Sequence, residues 1–167
     1  ASSLLTAILM FAMGQKQETK NELSHRQQAG YYNLTAEQVE ALKKDERIAC
    51  QIQVKTGILS EMDGFDVKPY YVSELSDQIR IGELESGRLP EKENEIAVQA
   101  QMLKKLNISP AAGSSVTLTF YDGSTETFTV SGILKGSDTA KQFSVFFSKS
   151  YAEKGSQLKS MPWEVYT

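Results

Sequence analysis

SGRLPEKENEIAV, Ser86 to Val98, combines a glycine, an Arg-Leu-Pro step, a run of charges and an abrupt change to apolar residues. Gly87 permits a turn that a side chain would oppose. Pro90 fixes its own backbone angle and biases Leu89 toward an extended conformation. The charges from Glu91 to Asn94 keep the loop in water, and Ile96 with Val98 then enter a core as a strand. The competing reading is an acidic site built from Glu91, Glu93 and Glu95. Calcium loops interleave Asp, Asn and Gly so that carbonyls turn inward, whereas here a lysine interrupts the run and a single Asn is present. A glycosidase pair normally draws its two carboxylates from different elements, so local spacing cannot reveal one. The stretch therefore reads as a solvated turn with one structural glutamate. Glu95, at the start of the strand, suits a hydrogen bond to the nearby turn as well as any functional role.

On the C-terminal side, QAQMLKKLNIS places Met102, Leu103 and Leu106 at helical spacing, with Pro110 and Gly113 expected to end the helix. SSVTLTFYDGSTETFTVSGIL is a hairpin. Val116, Leu118 and Phe120 alternate with threonines, Asp122-Gly123 turns the chain, and Phe128 and Val130 return. FSVFFSKSYAEKG, from Phe143, gives a final strand and the start of a helix. On the N-terminal side, Thr35 and Gln38 form a capping box for a short helix from about Ala36 to Lys44. IACQIQVK alternates with period 2, placing Ile48, Cys50, Ile52 and Val54 inward and Ala49, Gln51, Gln53 and Lys55 outward. Asp63-Gly64 is a turn, and Phe65 to Val72 is a second strand or a bent hairpin interrupted by Pro69. SELSDQIRI is a short helix or a turn. The sum is five to seven strands and three short helices. Their order points to an α+β fold with mixed or antiparallel sheets, as one domain or two small subdomains sharing a core.

The first segment, SSLLTAILMFAMG, is uncharged and apolar on every helical face, which suits a core or a bilayer. A complete span needs about 20 residues, so residues 1–14 are read as the outer end of a transmembrane helix. The polar stretch 15–30 is read as a helix continuing outward, and residues 15–167 as one extramembrane domain. The 167 residues carry a net charge of −3, which gives no basic face for nucleic acid. A single cysteine, Cys50, excludes an internal disulfide and a multi-cysteine zinc site.

Signatures of chemistry are scarce. The chain has no GxGxxG, no GxxxxGK[ST], no HExxH and no GxSxG. His25 sits in a polar stretch without recognisable partners and reads as a solvated histidine. Cys50 sits in a regular strand and reads as small apolar filler, so a Cys-His pair carries little weight. The paired tyrosines Tyr31-Tyr32 and Tyr70-Tyr71 could form a binding face, but beside strands they read first as half-buried packing. No catalytic, cofactor-binding or metal-ligating residue is assigned, and no cofactor is expected.

Taken in order, these motifs resemble the extracytoplasmic domain of FtsX-like (MacB-type) ABC transporter permeases, especially those of Gram-positive bacteria. The resemblance rests on the apolar helix running into KNELSHRQQAGYYNLTAEQVEALKKDERI, then the Gly-Arg-x-Pro step of SGRLPEKENEIAV. MLKKLNISPAAGSSVTLTFYDGSTETFTVSGIL follows, and together the match spans about Ser2 to Tyr151. It implies a MacB-like periplasmic core domain on the extracytoplasmic side of the cell membrane, without catalytic residues. The implied partners are the transmembrane remainder of the same permease, a second permease copy, a cytoplasmic ABC ATPase and an extracellular substrate or partner protein. The implied role is to couple ATP-driven motion to export or sensing of a peptide, lipoprotein or toxin. Two other readings are carried beside it. One is a membrane-anchored peptide- or cell-wall-binding module. The other is a cell-wall hydrolase resting only on Glu91, Glu93 and Glu95.

Overall fold

The computed structural model describes residues 30–47, 51–75 and 82–167. The apolar run 1–14, the polar stretch with His25, Cys50 and most of SELSDQIRI lie outside the described residues. The described chain forms two compact units. The first holds the residues up to Val54 together with Pro162–Thr167, and the second is Lys55–Met161.

In the first unit, β1 (Gly30–Leu34) pairs antiparallel with β10 (Trp163–Tyr166). Tyr31 lies opposite Val165 and Leu34 opposite Trp163, so β1 carries one extra residue. Asn33, at φ 58°, accommodates that bulge in the left-handed region that asparagine tolerates. α1 (Ala36–Lys43) starts with the expected capping box. The Gln38 amide donates to Thr35 Oγ1 at 3.2 Å, and Gln38 Oε1 accepts the Thr35 amide at 2.8 Å. Val39 and Leu42 on its inner face are buried, as are Tyr31, Trp163 and Val165 of the strands.

β2 (Ile52–Thr56) crosses from the first unit into the second. Its alternation predicts a half-solvated strand, but Gln53 and Lys55 are only 7% and 3% exposed. Both faces are covered, and Lys55 can be buried because its ammonium finds backbone carbonyls inside the protein.

The second unit is a mixed sheet. Its strands are β3 (Ser60–Met62), β4 (Phe65–Val72), β5 (Leu84–Gly87), β6 (Glu95–Gln99), β7 (Ser115–Thr119), β8 (Thr125–Leu134) and β9 (Gln142–Phe147). The order is β4-β9-β6-β8-β5, with β3 added to β4 and β7 to β8. β4 and β9 are parallel, as are β6 and β8, while β6 and β9 run antiparallel. β4 is not broken at Pro69. The Pro69 carbonyl accepts the Gly57 amide at 2.8 Å. A strand residue turns its N–H and C=O to the same side, so the missing donor faces this Gly57 loop and not β9.

α2 (Ala100–Lys105) buries Met102 and Leu103 and ends before the predicted Pro110 and Gly113. Asn107, at φ 57°, stops it: the Ile108 amide donates to Leu103 O at 2.9 Å and the Asn107 amide to Lys104 O at 3.1 Å. This is the Schellman pattern with asparagine in the left-handed position. α3 (Lys149–Lys154) is capped by Ser148, whose Oγ accepts the Tyr151 amide. Phe128, Phe147 and Tyr151 form an aromatic cluster, with Phe147 and Tyr151 stacked at 4.4 Å between centroids.

The α+β expectation and the three helices agree with the structure, while the strand count is ten among the described residues. The extra strands GYYNL, SEM, LESG and WEVY are five residues or fewer, too short for periodicity to reveal them.

Candidate functional site

The loop between β5 and β6 folds around Glu95. This carboxylate is buried, and its Oε2 accepts Arg88 Nη2 at 2.6 Å while Oε1 accepts Arg88 Nη1 at 3.0 Å. Oε1 also takes the backbone amides of Glu91 at 3.1 Å and Lys92 at 2.9 Å. A bidentate guanidinium and two amides favour the ionised form, so the Glu95 pKa is pushed down to about 2, against the opposing effect of burial. Gly87, at φ 75°, lets the chain enter this loop. A Cβ there would lie 2.5 Å from Ser131 O and 2.8 Å from Gly132 Cα. Ser131 Oγ donates to Arg88 O at 3.0 Å, tying the loop to β8.

The three glutamates singled out in the sequence are therefore separated. Glu95 turns inward, and Glu91 is solvent-exposed, with its carboxylate 3.8 Å from Arg88. Glu93 lines an open cleft of about 350 Å³ with Asn94, Glu126, Thr127, Phe128 and Tyr151. Glu126 accepts Tyr151 Oη at 2.7 Å and Ser156 Oγ at 3.0 Å. Burial, and then this carboxylate, push the Tyr151 hydroxyl above its ordinary pKa and keep it a neutral donor. The cleft can receive a cationic or hydrogen-bond-donating group. Glu126 and Tyr151 were missed because each sits in a regular element, Glu126 on the hairpin face that it shares with Leu118 and Phe128.

The tyrosine pairs do not form one face. Tyr31 and Tyr71 are buried, with their hydroxyl pKa values raised by burial. Tyr32 is exposed beside Tyr166, and Tyr70 packs edge-on against Phe146. The packing reading thus holds for three of the four.

Lys55 lies on the outward face by the strand's alternation and is instead buried. Its Nζ donates to the carbonyls of Ala152 at 2.9 Å, Leu158 at 3.0 Å and Lys159 at 3.4 Å. Burial pushes its pKa down while Glu153 acts in the opposite direction. Carbonyls at and beyond the C-terminal end of α3 are natural acceptors for an ammonium. Among the described residues, no group of three or more His, Cys, Asp or Glu is placed to hold a metal ion. No described helix is long and apolar enough to cross a membrane.

No family model and no curated protein matches the chain. Among solved structures, the chain has the fold of an extracytoplasmic permease domain. It aligns with the extracellular domain of the noncanonic ABC-type transporter YknZ from Gram-positive bacteria at a TM-score of 0.54 and 9% identity. The alignment covers 83% of this chain and 81% of that one. A domain of a candidate permease protein from Porphyromonas gingivalis aligns at a TM-score of 0.48 and 11% identity, over 81% of this chain and 66% of that one. At 9% identity the likeness to the YknZ domain is a likeness of fold.

Proposed function

We propose that this chain is the extracytoplasmic domain of an ABC transporter permease of the FtsX-like, MacB-type kind. Residues 1–14 form the outer end of a transmembrane helix, and residues 15–167 form the domain outside the membrane. The domain has no reaction of its own. It couples the ATP-driven motion of the membrane subunits, arranged as a permease dimer, to export or sensing of a substrate outside the cell. The supporting observation is the fold shared with the YknZ extracellular domain over most of both chains. The order of sequence motifs points the same way independently of that alignment.

The test is to isolate the complete gene product from its native membrane. The reading expects further membrane spans after Thr167 and co-purification with an ATP-hydrolysing subunit. A product with a single span and no ATPase partner would instead leave an anchored binding module. Topology is checked in a Cys50→Ser background. A membrane-impermeant maleimide should label Glu37→Cys on intact cells and spare Leu9→Cys; the reverse pattern would overturn the proposed boundary.

A further inference from the structure

The second unit gathers exposed apolar side chains in one place. Of four large hydrophobic residues exposed among the described residues, three are Ile58 (41%), Leu59 (43%) and Tyr121 (56%). Ile58 and Leu59 lie in the loop before β3, and Tyr121 opens the β7–β8 turn. The two loops are fastened to each other, because buried Ser60 Oγ accepts the Tyr121 amide at 2.8 Å. Singly scattered apolar side chains are ordinary on a surface, but a fixed group of them marks an interaction site.

The β3–β4 hairpin that continues from this patch is acidic at its turn end. Glu61 and Asp66 occupy directly opposed positions, and Asp63 stands in the turn between them. Like charges facing each other across a strand pair oppose its formation. None of the three forms an ion pair among the described residues. Lys68, on the same strand, instead holds its Nζ 5.5 Å above the Tyr70 ring. The carboxylates are not placed to share a metal ion. Their charge is available to cationic side chains arriving from outside.

We propose that Ile58, Leu59 and Tyr121, flanked by Glu61, Asp63 and Asp66, form a docking surface for a basic segment of a protein partner that also presents aliphatic side chains. Apolar anchors would supply the contact and the carboxylates its sign selectivity. A second copy of this chain fits poorly, because it brings the same carboxylates to the same place. An anionic bilayer is disfavoured for the same reason. The assignment stands whether or not the chain belongs to a permease.

The probe is a short fluorescein-labelled peptide of alternating lysine and leucine, titrated into the full 167-residue chain and read by anisotropy. Its glutamate–leucine counterpart serves as the opposite-charge control. Binding of the basic peptide is expected to weaken at least about tenfold in the Ile58→Ser/Leu59→Ser double variant and again in Glu61→Lys/Asp66→Lys. All of these side chains lie wholly or partly at the surface, and circular dichroism checks that the fold persists. Glu37→Lys/Glu46→Lys makes the same charge change in the other unit and should leave binding intact. Equal losses in this control, or equal binding of the acidic peptide, would overturn the proposal. So would dimers abolished by Ile58→Ser/Leu59→Ser, or co-sedimentation with phosphatidylglycerol vesicles that the same variant removes.

Discussion

At Glu95 one buried carboxylate accepts four hydrogen bonds, two from Arg88 and one each from the amides of Glu91 and Lys92. All four are stronger to the charged form. The pKa falls from an ordinary 4.5 to about 2 in the folded protein, so the unfolded chain takes up the proton first as pH drops. The resulting stabilisation is complete above pH 4.5 and is lost as pH falls toward 2. Glu95→Gln should cost roughly 1.5–3 kcal/mol near neutral pH, because a charged acceptor and its bidentate geometry are both removed. Between pH 5 and pH 2.5 the variant's Tm should also fall less steeply than that of the wild type. Parallel slopes in scanning calorimetry would contradict this account. Gly87 gives a second test at the same loop. Gly87→Ala meets both an unfavourable φ and a backbone oxygen 2.5 Å away, and should cost about 1–3 kcal/mol. Gly64→Ala has a similar φ but open space, and should cost less in the same urea titration. The sequence revealed the turn at Gly87 and the hydrogen-bonding position of Glu95. It did not reveal Arg88 as the partner, since nothing in local spacing says that a loop closes over seven residues.

Among the elements, those legible in the sequence carried their own local signals. The helix after Thr35 has its capping box, and the β7–β8 hairpin has Asp122-Gly123 between alternating strands. Removing such a signal should be felt in proportion. Thr35→Ala leaves the Gln38 amide without its cap and should destabilise by about 1 kcal/mol in chemical denaturation. A change within experimental error would mean the cap is replaced by water at no cost. Asn107 at the end of α2 was missed because Pro110 and Gly113 are louder breakers, although asparagine is the commonest non-glycine residue in that conformation. Asn107→Gly should be neutral or mildly stabilising. Asn107→Val should cost about 1–2 kcal/mol, because a β-branched side chain resists positive φ. Equal stability of the two variants would remove the left-handed cap from the explanation. β2 and β4 form as strands, but the burial of Lys55 and the continuity through Pro69 were not legible, for a different reason. Pro69 looks like an interruption and Lys55 looks outward-facing until the Gly57 loop and the α3 carbonyls are known, and those contacts are not local.

The molecule as a whole ties distant parts of the chain together, which is where single-sequence reading loses its grip. Parallel pairing of Asp66 with Gln142 and of Ile96 with Val130 has no local signature. The end of the chain shows this most clearly. WEVY received no element from the sequence, yet it is β10, the partner of β1, and it buries Trp163 and Val165 in the first unit. That unit cannot close until Trp163–Tyr166 have been made. Truncation after Met161 should therefore act unevenly. Losing Trp163 and Val165 removes apolar burial worth a few kcal/mol, together with the hydrogen bonds that β1 shares with β10. Amides of α1 and β1 should exchange with solvent about a hundredfold faster or more. Amides of β6, β8 and β9 pair within the second unit and should change much less. The measurement is hydrogen–deuterium exchange by mass spectrometry on the intact and truncated chains under the same conditions. Uniform loss of protection would show that the two units fold as one cooperative block. Unchanged protection in residues 30–47 would show that β1 does not depend on its C-terminal partner.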